Sequence, residues 1–301
     1  MNLFDVIIIG GGPAGLNSAV VLGRCNRKVL LFDHGKQRNR YSHGMHNFLT
    51  RDDISPAEFL KISHKELKKY AVKIKRIEIK HAKKNVDEIF VVKDCNENVY
   101  RSKKLILATG LTDRLPEVKG INKFYGKSIY HCPYCDGWEN NDKSIGVYAP
   151  TKSGIDVALT LTAWSKKITL YTDGKDYLRK KDKELITKNK ISVVLDSISL
   201  FEGSGSQLKN IVFENGEKSF CEALFFSNGY DVQCHLVESL GCNTGKNNVV
   251  ITNKSQQTNI PGLYVAGDAS KDMHFVVVAA AEGAKAGVYV NKELIDEENK
   301  L

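Results

Sequence analysis

Nowhere does an apolar run of this chain approach the roughly 18 residues that a membrane-crossing helix requires. No membrane partner is therefore expected. No basic leader with a cleavage site precedes the first apolar segment, which starts at Leu3, and this argues for a cytoplasmic protein. Helix-turn-helix, zinc-finger and RNA-binding signatures are all missing, so nucleic acid is not an expected partner. Cysteine is sparse. Its seven residues are odd in number and mostly single, which suits a reducing compartment better than a secreted disulfide scaffold. Cys25, Cys95, Cys221, Cys234 and Cys242 supply no second Cys-x-x-Cys, which a structural zinc site would want in place of a His pair.

What remains is an ordinary globular composition, 42% hydrophobic and 26% charged, in 301 residues, with room for two domains and a core in each. The net charge of +9 is unevenly spread. Between Pro116 and Gly245, 16 Lys and Arg face 16 Asp and Glu, so the excess lies in the flanks. Lys61, Lys65, Lys68, Lys69, Lys73, Lys75, Arg76, Lys80, Lys83 and Lys84 carry much of it. Such a stretch reads first as a solvated face and second as a dock for an acidic protein.

The chain is organised around His131-Cys132-Pro133-Tyr134-Cys135-Asp136-Gly137-Trp138-Glu139. Two cysteines separated by two residues can close a small disulfide ring and exchange it rapidly, because one thiolate attacks while the other resolves the mixed disulfide. Asp136 could move a proton to or from a departing thiolate. A structural disulfide or half a zinc site are the plainer readings of the same pair.

Phe4 to Ile9 is a β-branched run suited to a strand buried on both faces. It enters Gly10-Gly11-Gly12-Pro13-Ala14-Gly15 and then a helical pattern through about Arg24. Between strand and helix, Gly-x-Gly-x-x-Gly is a dinucleotide fingerprint. Gly10 serves the tight turn, Gly12 lets a pyrophosphate approach, and Gly15 lets helix and strand pack, with the phosphates at the helix N-terminus. The next strand, Lys28 to Phe32, ends in Asp33, placed to accept hydrogen bonds from an adenosine ribose. A loop with Arg38, Arg40 and Asn47 follows, then a helix over Ser55 to Tyr70. Strands are expected around Val72 to Ile79, Ile89 to Lys93 and Lys104 to Ala108, the last opening into Ala108-Thr109-Gly110.

Near the other end, Asn259 to Ala269 reads as a turn, a buried strand and Gly267-Asp268. Taken together, the first fingerprint, Ala-Thr-Gly, Cys-x-x-Cys-Asp and Gly-Asp make the chain resemble the low-molecular-weight thioredoxin reductase family of flavoproteins over essentially its whole length. The resemblance implies an α/β protein with two Rossmann-like, three-layer dinucleotide-binding domains, the second inserted in the first. It places an FAD domain at 1–115 plus 246–301, and a 116–245 module carrying the disulfide. It implies one FAD held by Gly10, Gly12, Pro13, Ala14, Gly15, Asp33, Arg40, Asn47, Ala108, Thr109, Gly110, Gly267 and Asp268. It makes Cys132, Cys135 and Asp136 the catalytic set, with Cys135 facing the flavin and Cys132 the substrate, and it implies a homodimer.

The inserted module looks like a copy of the first. Shifting by 139 residues lays Gly10 on Ala149, Gly12 on Thr151 and Gly15 on Gly154. Two of three glycines are lost, and Pro150 removes an amide. Where the family's reductases carry His-Arg-Arg for the NADPH 2′-phosphate, this chain has Thr172-Asp173-Gly174, and His274-Phe275 replaces the Arg-Gln usual beside the flavin. NADPH is therefore not the expected donor. Candidates are ferredoxin or flavodoxin on the basic face, or a second FAD in the altered module. The substrate is expected to be a thioredoxin-like protein or a small disulfide. An ordinary NADPH-dependent reductase, or a non-enzymatic flavin-binding redox sensor, are the alternatives, and the intact Cys-x-x-Cys-Asp weighs against the sensor.

Overall fold

The computed structural model describes residues 3–232, 235–270 and 273–300, and Cys234 lies outside them. The chain divides into two compact units, one of residues 1–40, 47–112 and 230–301, the other of 41–46 and 113–229.

The first unit begins with β1 (Leu3–Ile9), α1 (Pro13–Arg24), β2 (Val29–Phe32), α2 (Pro56–Leu67) and β3 (Val72–Lys75). A basic antiparallel extension follows, β4 (Ile79–Lys84), β5 (Phe90–Asp94) and β6 (Val99–Leu107), then β7 (Leu111–Asp113). Strand order is β3-β2-β1-β6-β5-β4. The side-chain period of two sorts the strands between two cores. Val6, Ile8, Val29, Leu31 and Ile106 pack on the helical side, while Ile7, Ile9, Leu30, Phe32, Leu105 and Leu107 pack on the other. The strand expected over 72–79 is two strands. The basic stretch is distributed over α2, β3 and β4, with Lys84 lying over the Phe90 ring.

The second unit holds α3 (Ile121–Phe124), β8 (Ile129–Tyr130), α4 (Pro133–Asp136), β9 (Ile145–Tyr148), α5 (Ser153–Leu161), β10 (Ile168–Tyr171), α6 (Lys180–Lys188) and β11 (Ser192–Val194). An antiparallel sheet of β12 (Ile198–Ser204), β13 (Gln207–Phe213) and β14 (Lys218–Phe220) leads to β15 (Ala223–Phe226). The parallel sheet runs β11-β10-β9-β15-β8. Ile145, Val147, Leu170 and Phe225 face α5 and α6, while Tyr148, Tyr171, Leu224 and Phe226 face the antiparallel sheet. The arrangement repeats that of the first unit, with β9-α5-β10-α6-β11 echoing β1-α1-β2-α2-β3. Both units are Rossmann-like, as a duplicated sequence implies.

The chain re-enters the first unit earlier than its sequence implied. β16 (Tyr230–Val232) and α7 (His235–Ser239) come before Gly245, yet Val232, Leu236, Val237 and Leu240 share a core with Phe4, Ile7 and Phe90. Apolar contact therefore sets the boundary at Gly229 rather than Gly245. Then β17 (Leu263–Val265) pairs parallel to β6, and α8 (Val276–Glu298) closes the unit against α1. Gly283 permits that closeness, since a Cβ there would sit 2.0 Å from the Ala14 carbonyl oxygen. Among the described residues no helix is long and apolar enough to cross a membrane.

Candidate functional site

In the first unit the glycine turn divides its labour. Gly10 adopts φ 120°, and a Cβ on it would lie 2.0 Å from the Ala108 carbonyl oxygen. A Cβ on Gly15 would lie 1.9 Å from the Gly10 carbonyl oxygen, so these two glycines bind turn, strand and helix together. Gly12 differs. Nothing stands within 4 Å of where its Cβ would be, and it is the N-cap of α1, which begins with Pro13. Open space at a helix N-terminus with unbonded amides is what a pyrophosphate requires. Gly11, which the fingerprint leaves unassigned, has a clear reason of its own: a Cβ there would strike the Asp33 carboxyl at 2.3 Å.

Asp33 is 2% exposed. It accepts from the Gly35 amide at 2.8 Å and from Gln37 Nε2 at 3.0 Å, so the carboxylate is fixed where β2 ends. Thr109 presents a buried hydroxyl with no hydrogen-bond partner. Buried polar groups are nearly always satisfied, so this hydroxyl suits a bound ligand. Asp268 pairs with Arg38, Nη1 to Oδ2 at 3.2 Å. Arg40 instead donates to the carbonyls of Lys36 and Gln37, tying down its own loop. The Gly267 amide donates to Glu282 Oε2 at 2.8 Å. Asn47 is exposed, with φ 64° and its amide on Asp52 Oδ1. A cavity of about 910 Å³ opens beside Asp33, Gln37 and Arg40 and runs along α2 to Arg76. Open space at Gly12, a fixed carboxylate and an unsatisfied Thr109 hydroxyl fit an adenine dinucleotide.

In the second unit Cys132 and Cys135 form a disulfide, Cα to Cα 5.3 Å. Cys132 caps α4, its Sγ accepting from the Cys135 amide at 3.1 Å, and Pro133 opens the turn, where a missing N–H costs nothing. Gly137 is required next, because a Cβ would lie 2.5 Å from the Pro133 carbonyl oxygen and 2.7 Å from the Trp164 ring. Tyr134 stands edge-on to Trp164 at 5.9 Å. Burial, with Glu139 adding repulsion, pushes the Asp136 carboxyl up to about 7. That makes it a proton donor and acceptor near neutral pH. Among the described residues no cluster of His, Cys, Asp and Glu suits a metal ion.

Four side chains of this unit were given no role from the sequence: His131, Asp113, Tyr125 and His46. His131 Nδ1 lies 3.7 Å from Asp113 Oδ2, and Tyr125 donates to that same oxygen at 2.6 Å. His46 pairs with Glu139 at 3.6 Å. His131 could have been noticed as the neighbour of Cys132; Asp113 is 18 positions away from it and carries no local signal.

The second dinucleotide-like turn is bonded to the segments around it. Ala149 is 1% exposed, and its carbonyl accepts from the Tyr177 hydroxyl at 2.7 Å. Ser153 Oγ donates to the Ser227 carbonyl, and Lys152 pairs with Asp182 at 2.8 Å. Asp173, in a left-handed conformation with φ 52°, accepts from the Tyr148 hydroxyl at 2.7 Å and from the Ile198 amide at 2.8 Å. Thr172 Oγ1 and Asn228 Oδ1 are buried without partners.

A family model of pyridine nucleotide-disulphide oxidoreductases matches residues 4–283. Thioredoxin reductase tcpT of Claviceps purpurea is 31% identical over 315 residues, covering 99% of this chain and 96% of that protein. Thioredoxin reductase sirT of Leptosphaeria maculans is 29% identical, with coverage of 96% and 94%. Among solved structures, a protein assigned as thioredoxin reductase TrxB from Bacillus anthracis aligns with a TM-score of 0.94 at 29% identity, covering 98% of this chain and 99% of that one.

Proposed function

Because the chain belongs to the pyridine nucleotide-disulphide oxidoreductase family, as a thioredoxin reductase-like, FAD-dependent disulfide oxidoreductase, we propose that it exchanges electrons between FAD and the Cys132–Cys135 disulfide without using NADPH. The observation that carries this reading is Asp173. Its two carboxylate oxygens are taken by Tyr148 and Ile198, at the place where a 2′-phosphate would need cationic donors. NADH escapes the phosphate argument, but it would still meet Ala149, Pro150 and Thr151 in place of a glycine turn.

In this reading Gly12 and the N-terminus of α1 receive the FAD pyrophosphate, Asp33 its ribose, and Thr109 and Gly267-Asp268 further polar atoms, with Arg38 orienting Asp268. Bound FAD would supply the two-electron chemistry. The chain supplies the rest: Cys135 takes the flavin side, Cys132 exchanges with substrate, and Asp136 moves the proton of a departing thiolate. The donor is an acidic protein such as ferredoxin or flavodoxin, and the substrate a thioredoxin-like protein or small disulfide. The working form is a cytoplasmic homodimer.

A second reading concerns the altered module. The unsatisfied Thr172 hydroxyl and Asn228 carbonyl could receive a ligand there, and a second FAD is the candidate. The test is to release and count flavin and to replace Cys135. One FAD per chain, with Cys135→Ser keeping its flavin while losing disulfide turnover, supports the first reading. Two FAD per chain supports the second. Normal turnover by Cys135→Ser would overturn the cysteine assignment.

A further inference from the structure

We infer that Glu282 is a positioning residue for the flavin cofactor: from α8 it fixes the Gly267-Asp268 turn against the glycine turn that opens α1. This rests on the reading of both turns as the FAD site. Glu282 is 7% exposed, and among the buried residues of α8 it is the one charged side chain, set between alanines, glycines, a valine and a leucine. A carboxyl group on an apolar face costs free energy unless its oxygens find donors. Oε2 accepts from the Gly267 amide at 2.8 Å, and the Ser270 hydroxyl lies 3.4 Å from the same oxygen.

The turn that Glu282 holds has little freedom left. Gly267 adopts φ 84°, a left-handed conformation that glycine takes without strain. The Ser270 amide closes the turn on the Gly267 carbonyl at 2.9 Å, and Ser270 is itself buried. Both ends are therefore anchored inside, and Asp268 between them is the part-exposed residue, paired with Arg38. With the Gly267 amide already bonded to Glu282, what the turn offers a ligand lies at Asp268. The next residue of α8 meets the other motif. A Cβ on Gly283 would lie 2.0 Å from the Ala14 carbonyl oxygen, and a Cβ on Gly267 would lie 3.0 Å from the Ala14 Cβ. Two consecutive residues of one helix thus bear on two motifs from opposite ends of the chain. An apolar residue at 282 would pack on α8 equally well, but it would leave the Gly267 amide without its acceptor.

The test follows FAD release from the loaded protein, read by the fluorescence of the freed flavin, together with amide exchange over residues 263–270. Glu282→Leu removes the acceptor. It should release FAD about tenfold faster or more, with exchange rising over 263–270 and unchanged in β1 and β2. Glu282→Gln keeps an acceptor oxygen and should stay close to the parent, which a role confined to filling space would not require. Release from Glu282→Leu at the parent's rate would overturn the inference, as would a loss in Glu282→Gln equal to that in Glu282→Leu. If Glu282→Leu does not fold, Glu282→Asp, one methylene shorter, takes its place with the same expected loss. Asp268→Ala separates this inference from the reading beneath it. Faster release there, with parent-like release in Glu282→Leu, would mean that FAD sits at this turn and Glu282 does not place it. Parent-like release in Asp268→Ala would mean that FAD is held elsewhere, and both would fall.

Discussion

The Tyr148 hydroxyl donates to Asp173 Oδ2 at 2.7 Å, joining the end of β9 to the second residue past β10. The carboxylate's other oxygen receives the Ile198 amide at 2.8 Å. In a working nucleotide domain the ends of these two strands face a ligand. Here they are bonded to each other. If this is a structural contact, Tyr148→Phe should lower stability by about 1–2 kcal/mol, because a half-buried carboxylate loses a donor. Urea unfolding of the variant and parent would measure it, and unchanged stability would mean that Asp173 is free for another partner.

Asp136 makes the pH dependence specific. Its folded value of about 7 lies above the ordinary 3.8, so folding favours the protonated carboxyl. That contribution is fully present below 3.8 and is lost as pH rises through about 7. Asp136→Asn, which cannot ionise, should match the parent in acid and exceed it in alkali, by about 2–4 kcal/mol at most. It should also slow thiol protonation by roughly 10²–10⁴-fold. Equal stability of the two proteins at alkaline pH would show that the carboxyl is not held protonated.

The glycines of the first turn should separate fold from cofactor. Gly15→Ala places a Cβ 1.9 Å from backbone and should destabilise by roughly 3 kcal/mol or more. Gly12→Ala meets nothing within 4 Å, so the thermal midpoint of the flavin-free protein should hold while FAD affinity falls. Equal FAD affinity in Gly12→Ala and parent would move the pyrophosphate elsewhere.

Thr109→Val should weaken FAD by about tenfold, the loss of one hydrogen bond of roughly 1.4 kcal/mol. The flavin-free protein should be no less stable, since the hydroxyl has no partner within the chain. Fluorescence titration with FAD measures this, and an unchanged dissociation constant would mean that Thr109 does not touch the cofactor.

Much of this architecture was legible because it repeats. The strand, glycine turn, helix and acidic strand end of the first unit were readable, and the 139-residue shift exposed the second. The helices begin as local chemistry favours, with Pro13 and Pro56 at their first positions and Ser55 capping the second by accepting from the Glu58 amide. The boundary after the inserted unit was not legible, because α7 declares its core only by packing Leu236 and Val237 against distant strands. Arg38 meets Asp268 across 230 positions, a pairing that loop geometry makes and spacing does not. Asp113 beside His131 is long-range in the same sense.

The central claim, that this flavoenzyme does not draw its electrons from NADPH, is tested most directly by anaerobic stopped-flow. Oxidised, FAD-loaded protein is mixed with NADPH, NADH, reduced ferredoxin, reduced flavodoxin or a small dithiol, and flavin absorbance is followed. Losing two charge-assisted bonds to a 2′-phosphate, at about 1.5–3 kcal/mol each, weakens NADPH by several hundred-fold or more. The account predicts no rapid bleaching by micromolar NADPH or NADH, and rapid bleaching by one of the other reductants. Fast bleaching by micromolar NADPH would contradict it.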